Sequence, residues 1–333
     1  MNERLHWIDR LRGMLMIAIL WFHTEFYYIG HCVIPYNMYV PDVLITFFII
    51  SGFLFSCKGF QLRYKLRAIL KSLLLPYFIF TVLLALPKIL LNYNDTEPVT
   101  ALTDILTGRA SWFVSTLITA EIIFAFTLYI GSGKRWITPA LCTLWFVGSL
   151  CFNEENAVYH LDMNNLWNFQ GALFVQPFLL LGYELWHHRH VMHTINRPLY
   201  IIIALRLFIL IKIYVYDTPH YEMLIAPIRV TNVVLFGAES LAFALLMAAL
   251  SRKMPRTKWT EWVGIHSLIY YFICGATPAA VAAVLNRIGL AYNQQYAMLA
   301  AAVVIVCLTA TASTYVMVYI KDLLLKAMGS AQR

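Results

Sequence analysis

Two ionisable side chains in the first apolar segment have the types and the spacing to do chemistry together. Arg12 and His23 are eleven residues apart. On an α-helix this is close to three turns, so both lie on one face, with His23 about 16 Å further along the axis. A guanidinium binds phosphate oxygens through paired hydrogen bonds, and an imidazole accepts a proton or attacks a carbonyl carbon. The pair therefore predicts a site that holds an anionic group at one end and reacts at the other.

The composition identifies an integral membrane protein. Of the 333 residues, 61% are hydrophobic and 13% are charged, whereas soluble domains carry about 25% charged residues. Apolar windows of about 20 residues are long enough to cross a bilayer as helices. We predict one integral domain over residues 1–333, an all-α polytopic bundle of about ten helices, at about 13 to 32, 41 to 57, 69 to 91, 112 to 130, 137 to 152, 169 to 186, 198 to 216, 232 to 250, 262 to 285 and 296 to 320.

His23 falls near the middle of the first window. A titratable group at that depth costs about 2 to 4 kcal/mol, so its presence indicates function by default. The alternative for His23 is a core histidine bonded to a backbone carbonyl. For Arg12 the alternative is an ordinary basic anchor at the cytoplasmic boundary.

The basic residues indicate the orientation of the helices. Lys and Arg concentrate in the cytoplasmic loops of membrane proteins, and the basic clusters of this chain all fall at its termini or in even-numbered loops. We therefore predict a multi-pass protein of the cell membrane with both termini in the cytoplasm. The net charge of +8 then reflects topology, with anionic lipid as its partner, and argues against nucleic-acid binding. External polar residues could line a mouth above His23 or be only solvated caps: Asn94, Asp95, Glu155, Asp162, Asp217, His220 and Glu222.

No metal site is predicted. The six cysteines show no metal-ligand spacing and lie mostly within predicted helices, as packing residues do. The run from His187 to His190, with His193, lacks acidic or cysteine partners in its short loop, which favours a solvated loop.

Several segments resemble motifs of the acyltransferase-3 family of membrane proteins. Residues 7–13 followed by His23 resemble its Arg/Lys-x10-His signature, and Phe-Phe-Ile-Ile-Ser-Gly-Phe-Leu at 47–54 resembles a segment of its second span. The basic stretch 67–71 before Leu-Pro-Tyr-Phe at 75–78, Ser-Trp-Phe at 111–113, and Gly264 to Tyr271 resemble three further motifs in the same order. The chain length and the sequence Pro-Tyr-Phe-Ile-Phe most resemble the branch related to fucose 4-O-acetylases.

This resemblance implies transfer of an acyl group, usually acetyl, from cytoplasmic coenzyme A to a hydroxyl of a saccharide or envelope glycan. Arg12 would bind the phosphates of acyl-CoA, with Arg67 and Lys71 adding positive charge. His23 would act as a general base or as a transient acyl carrier, and the sequence leaves both open. Two positions differ from many relatives: Ile45 stands where an acid is common, with Asp42 the nearest acid, and Cys274 stands where a histidine is common.

Further polar residues are candidates for binding the substrates. Tyr27 follows His23 by four residues, so its hydroxyl could hold the acceptor, or Tyr27 could be an interfacial belt residue. Trp112 could contact the adenine or pantetheine of the donor, or also belong to a belt. Glu25 lies about 200° around the helix from His23, which indicates an interfacial or pairing acid. Candidates inside the bundle for binding the acceptor are Glu121, Arg206, Glu239 and, in the late motif, Tyr271. Alternatively, Arg206 and Glu239 form an ion pair that only stabilises the bundle.

A different class of function also suits an all-helical membrane protein with charges at its midplane. A transporter or flippase for a glycan or small solute would have repeated halves with helices broken at paired Gly or Pro. The sequence shows neither feature. Ser51-Gly52 is expected to be a close contact between helices and not a nucleophile, because small residues let helices approach.

Overall fold

The computed structural model describes residues 5–56, 60–90, 97–132, 134–152, 166–188 and 197–330. Helices dominate these residues, so the all-α prediction is confirmed. They are α1 His6–Thr24, α2 Val40–Ser56, α3 Leu62–Ile69, α4 Leu75–Leu90, α5 Pro98–Thr107, α6 Trp112–Ile130, α7 Ile137–Leu150, α8 Phe169–Phe174, α9 Gln176–His187, α10 Pro198–Asp217, α11 Val233–Lys253, α12 Lys258–Ile265, α13 Ser267–Ile273, α14 Ala276–Arg287 and α15 Tyr296–Ser330.

Each predicted window contains one helix or a run of consecutive helices. Among the described residues, five helical stretches are long and apolar enough to span a membrane alone: Leu62–Leu86, Arg109–Ile130, Pro198–Asp217, Val233–Lys253 and Tyr296–Leu323. The bent pair of α13 and α14 qualifies together, and α2 and α7 are shorter apolar helices. The structure thus has the helices of a membrane bundle, while the count of ten and the side of the termini stay predictions.

Two helices contain a wider, π-helical turn. Residues Glu25–Ile29 extend α1, and Leu70–Leu74 join α3 to α4. The second turn lies just before Pro76, whose nitrogen cannot donate to a carbonyl one turn earlier. The Leu75 N–H bonds to the Leu70 carbonyl oxygen, five residues back, and the helix passes through the proline without breaking. Each wide turn also rotates the side chains that follow it around the axis.

The described chain forms two compact units. We call residues 1–43 with 247–333 the terminal unit and residues 44–246 the central unit. The terminal unit contains α1 and α12 to α15, and the central unit contains most of α2, α3 to α10 and most of α11. The single-domain organisation stays a prediction.

Glycines hold α1 and α12 close together in the terminal unit. A side-chain carbon at Gly13 would overlap the Thr260 carbonyl oxygen, and one at Gly264 would overlap the Asp9 carbonyl oxygen. Hydrogen bonds join His6 to Glu261 and Arg12 to Ser267, each pair 255 residues apart. A constant offset is the pattern of two segments that run in the same direction. The N-terminal helix and the late motif are therefore parallel neighbours.

A similar glycine contact organises the central unit, between α2 and α9. A side-chain carbon at Gly52 would overlap the Leu179 carbonyl oxygen, and one at Gly182 would overlap the Ile49 carbonyl oxygen. The expected packing role of Gly52 is confirmed, since backbones this close leave no room for a side chain. Helix α6 lies deepest in this unit, with Phe124 fully buried against Phe55 at 5.3 Å between ring centroids.

Two helices are broken, which the sequence did not indicate. Val175 separates α8 from α9 just before Pro177. α13 and α14 meet at a bend of 49° around Gly275. Pro278 follows this bend, and a proline leaves the carbonyl four residues earlier, here that of Cys274, without its helical donor. The expectation of unbroken helices was wrong at these two places.

Part of the segment at 217–231, which is predicted to be external, is ordered as a small antiparallel hairpin. β1 Met223–Ile225 pairs with β2 Ile228–Val230, with Met223 opposite Val230. Met223, Ile225, Ile228 and Val230 are almost fully buried, so alternate side chains pack inward and the segment is more than a solvated cap. Four residues of the predicted mouth lie outside the described residues: Asn94, Asp95, Glu155 and Asp162.

Candidate active site

Arg12 and His23 share one face of α1. The helix is unbroken from His6 to Thr24, so the eleven-residue spacing places the two side chains about 16 Å apart along the axis. Both residues are partly exposed, so a bound molecule could reach each of them.

Arg12 is oriented by the late motif. Its Nη2 donates to the Ser267 hydroxyl oxygen at 2.8 Å. Ser267 is the first residue of α13 and is 4% exposed. Tyr271 lies one turn further along the same helix, and it also is partly buried. The first and the last of the resembling motifs thus meet at Arg12, although they are far apart in sequence.

A charged network fixes α1 beside α12. Glu261 accepts hydrogen bonds from Arg10 Nη1 at 2.8 Å and from His6 Nδ1 at 3.0 Å, and Arg10 Nε donates to the Ser251 carbonyl oxygen at 3.1 Å. Burial raises the pKa of Glu261, but the bonds from Arg10 and His6 outweigh it, and the pKa lies below its ordinary value. The network sets the rotation of α1 and hence the direction of Arg12.

His23 is surrounded by aromatic rings. Its ring stacks on Tyr27 with centroids 6.2 Å apart and contacts the edge of Phe22 at 5.2 Å. No backbone carbonyl among the described residues accepts a hydrogen bond from His23, as the core-histidine alternative would require. The Tyr27 hydroxyl lies 3.8 Å from where a side-chain carbon at Gly275 would be. The helix bend at Gly275 is therefore level with the His23 and Tyr27 pair.

Glu25 is an acid whose carboxylate is paired with hydrogen-bond donors, as its place on the helix predicts. It is fully buried, and its Oε1 accepts from Trp21 Nε1 at 2.6 Å. Its Oε2 accepts from the backbone N–H groups of Val33 and Ile34 at 2.9 and 3.2 Å. The carboxylate therefore joins the end of α1 to the segment that follows it.

Arg67 and Lys71 are exposed in the central unit. Arg67 lies in the last turn of α3, and Lys71 lies one turn later in the π-helical segment. Lys65, on the same helix, instead donates to the Phe55 carbonyl oxygen and lies 4.1 Å from the centre of its ring. Arg67 and Lys71, like Arg63 on α3, are thus exposed cations that an anion could approach.

Trp112 begins α6 and contacts the edge of Phe113 at 5.9 Å. In the predicted topology α3 starts on the cytoplasmic side and α6 on the external side. Trp112 is then at the opposite membrane face from Arg67, a place typical of an interfacial aromatic residue. Its contact with the donor stays a prediction.

Glu121 lies in the interior of α6. The Ser51 hydroxyl donates to Glu121 Oε1 at 2.5 Å. This bond fixes the Ser51 hydroxyl and joins α2 to α6 next to the close contact at Gly52.

Glu239 pairs with Lys212 and not with Arg206. Lys212 Nζ lies 3.3 Å from Glu239 Oε2, with Glu239 fully buried and Lys212 9% exposed. Arg206 is exposed on the same helix as Lys212. Six residues separate the two cations, which is about 240° of rotation, so one helix cannot direct both at Glu239. The predicted Arg206 to Glu239 bridge was wrong.

Two members of the histidine run are described, and both contact the turn before them. His187 Nδ1 lies 3.0 Å from the Tyr183 carbonyl oxygen, and His188 Nδ1 lies 3.1 Å from that of Glu184. His190 and His193 lie outside the described residues.

The comparison with protein families is decisive for the class of the protein. The profile of the acyltransferase-3 family, described as an acyltransferase domain, matches residues 5–318. The chain belongs to the acyltransferase-3 family. No curated protein and no solved structure gives a significant match.

The match places both units within the acyltransferase. It starts immediately before α1 and ends inside α15, so it contains Arg12, His23 and the late motif as well as the whole central unit. The chain is a multi-pass membrane acyltransferase, as the motifs and the apolar windows predict.

Cys274 shows what replaces the histidine that is common in relatives of this acyltransferase. Its thiol is buried and donates to the Tyr271 carbonyl oxygen at 3.0 Å. It therefore acts as a small packing residue at the bend. Asp42, the acid nearest to Ile45, is fully buried in the first turn of α2.

Sequence reasoning missed several residues that position the site. Glu261 and Ser267 hold α1. Phe22 contacts the His23 ring, and Tyr36 packs on Phe22 with the two ring centroids 5.4 Å apart. For Glu261, a charge inside the first turn of a late helix is a usable signal. Phe22 and Tyr36 offered none, because aromatic residues occur throughout the chain.

Proposed function

We propose that this acyltransferase moves an acyl group, most simply acetyl, from cytoplasmic acyl-CoA to a hydroxyl of a saccharide or cell-envelope glycan. The observation that carries the proposal is the shared face of α1, with an oriented arginine at one end and a ring-held imidazole about 16 Å away. Acyl-CoA has the matching shape, since its phosphates and its thioester are separated by the extended pantetheine arm. The fucose 4-O-acetylase-like branch of the family uses this class of reaction.

Arg12 would bind the phosphate end of the donor. Its bond to Ser267 fixes the plane of the guanidinium, and the planar fork of a guanidinium suits a bidentate contact with phosphate. Arg67 and Lys71, which are exposed cations of the central unit, and Trp112 are further candidates for binding the donor. Free coenzyme A leaves at the end of the reaction.

His23 would do the chemistry by one of two routes. As a base, it takes the proton of the acceptor hydroxyl while the oxygen bonds to the thioester carbon; the carbon–sulfur bond breaks and the thiolate receives the proton. As a carrier, its nitrogen displaces the thiolate and the acceptor oxygen then displaces the imidazole. Both routes yield an ester and coenzyme A, and both need the imidazole neutral.

The acceptor would bind on the Tyr27 side of His23. Tyr27 is 42% exposed and stacks on the imidazole, so its hydroxyl is free to meet a sugar next to the reacting nitrogen. Tyr271 lies on the neighbouring α13. Glu121, Arg206 and Glu239 are further acceptor candidates in the central unit, with the pairs described above.

The experiment that tests the proposal uses purified protein, labelled acetyl-CoA and a panel of envelope sugars. We expect acceptor-dependent release of coenzyme A together with label on the sugar. Release that no acceptor stimulates, with no labelled sugar in the panel, would contradict transfer to a saccharide.

Sidedness needs its own test, because the donor is cytoplasmic. Single cysteines at Asp217 and Glu222, in a background without native thiols, should react with an impermeant reagent from outside intact cells. Cysteines at Lys134 and Lys253 should react only after the membrane is opened. The reverse pattern would move Arg12 away from the cytoplasmic acyl-CoA.

One observation favours the second candidate, a transporter or flippase. Broken helices line the sites of many transporters, and α13 and α14 form a pair bent by 49° beside the Tyr27 hydroxyl. Uptake of a labelled glycan by vesicles that contain the protein but no acyl-CoA would support this function. Acetyl transfer without uptake supports the acyltransferase alone.

A further inference from the structure

Glu25 is a fully buried carboxylate with three hydrogen-bond donors. Trp21 Nε1 donates to one oxygen, and the N–H groups of Val33 and Ile34 donate to the other. A buried carboxylate without donors would cost several kcal/mol, so three donors indicate a position that the fold is built to hold. Two of the three come from the segment after α1 and not from the helix itself.

That segment packs against Phe22, the residue before His23. Gly30 turns the chain out of the helix with φ of 86°, a conformation that glycine adopts without strain. Residues 31–35 then return, and Tyr36 contacts the edge of Phe22 at 5.4 Å. Phe22 in turn contacts the His23 ring at 5.2 Å. A chain of contacts thus runs from the Glu25 carboxylate through Val33 and Ile34 to the ring next to the imidazole.

The position of Glu25 on the helix explains why it acts on this segment and not on His23. Glu25 opens the π-helical turn Glu25–Ile29, and it lies about 200° around the axis from His23. Among the described residues, the hydrogen bonds of the Glu25 carboxylate go to Trp21, Val33 and Ile34 and not to the imidazole. Such π-helical turns are frequent at functional sites.

We propose that Glu25 is a positioning residue that holds residues 30–36 as a cover beside His23 and so shields the acyl group from water. This inference rests on the proposed function. Water competes with the acceptor: its oxygen can bond to the acyl carbon, the carbon–sulfur bond breaks, and the products are a carboxylic acid and free coenzyme A. Closed sites suppress this side reaction by excluding water.

The test compares transfer with hydrolysis in Glu25→Ala and Glu25→Gln. With acetyl-CoA as donor and the accepted sugar, the ratio of acetate formed to sugar acetylated should rise about tenfold or more in Glu25→Ala, with donor affinity unchanged, because the cover opens to water. Glu25→Gln should be intermediate, since its amide can accept from the backbone or from Trp21 but not from all three donors. Glu97→Gln, an exposed acid in another predicted external segment, is the matched control and should leave the ratio unchanged.

A second measurement needs no enzymatic activity. Hydrogen exchange of the native protein should show the Val33 and Ile34 amides protected relative to the neighbouring amides of residues 30–36, and Glu25→Gln should weaken that protection. Unprotected Val33 and Ile34 amides, or transfer and hydrolysis that decline together at a constant ratio, would overturn the inference. Absence of both reactions in the native protein would instead overturn the proposed function, while the exchange result would still decide whether Glu25 holds the cover.

Discussion

In the central unit, the carboxylates of Glu239 and Glu121 are joined to other side chains, whereas His23 on α1 of the terminal unit is oriented by aromatic rings and partly exposed. Glu239 is paired with Lys212, and Glu121 accepts from Ser51. His23, by contrast, contacts the rings of Phe22 and Tyr27. Membrane proteins retain titratable groups for pairing or for function; Glu239 is an example of pairing, and the proposed role of His23 would be an example of function.

The largest expected effect is on the pair that joins α10 to α11. Glu239→Ala should lower the free energy of unfolding by about 3 to 5 kcal/mol, because Lys212 would remain as a buried charge without its counterion. Denaturant unfolding in detergent measures this, and Arg206→Ala, exposed on the same helix as Lys212, should change stability by less than about 0.5 kcal/mol. If the folded Glu239→Ala protein shows a higher KM for the acceptor, the Glu239 and Lys212 pair also contributes to acceptor binding.

His23→Ala should affect activity and not stability, the opposite of Glu239→Ala. We expect folding and membrane insertion to be unchanged while acyl transfer falls by at least about 100-fold, the scale of a lost general base. His187→Ala, an exposed histidine of the central unit, serves as control. Near-normal turnover by a folded His23→Ala protein would remove the catalytic assignment and leave both units with structural polar groups only.

Arg12 separates binding from chemistry within the terminal unit. Arg12→Ala should weaken coenzyme A binding by about 1.5 to 3 kcal/mol, as expected for hydrogen bonds to a charged group, while His23→Ala should keep donor affinity. Ser267→Ala should cost less, about 0.5 to 1.5 kcal/mol, since it removes one neutral hydrogen bond that orients the guanidinium. Calorimetric titration of the three variants decides this; equal losses for Arg12 and His23 would contradict the division of roles.

The smallest effect is the pH dependence of the Glu261 network. Because the pKa of folded Glu261 lies below its ordinary value, its interactions stabilise the protein above the unfolded-state pKa of about 4.3. That contribution disappears as the pH falls through the lower, folded value. Melting temperatures from pH 6 to pH 3 should show native protein and Glu261→Gln converging as the solution becomes acidic. A constant difference would mean that the carboxylate charge is not what fixes α1.

The sequence by itself determined the class of the fold, the family and the face shared by Arg12 and His23. These are local properties: apolar windows specify helices in a bilayer, and eleven residues set an angle and a rise on any unbroken helix. The stacking of Tyr27 on His23 also follows from local spacing.

Only the tertiary structure decided which distant groups meet. Ser267 at Arg12, Glu261 at Arg10 and Lys212 at Glu239 are contacts between helices, and sequence spacing carries no information on the rotation of one helix against another. The sequence analysis paired Glu239 with Arg206, but Lys212 is a second cation in the same apolar window, and spacing alone does not choose between them. The break at Val175 and the bend at Gly275 were equally hidden, since a proline in a membrane helix either breaks it or is absorbed by a wider turn, as at Pro76. Packing against neighbouring helices decides between those outcomes.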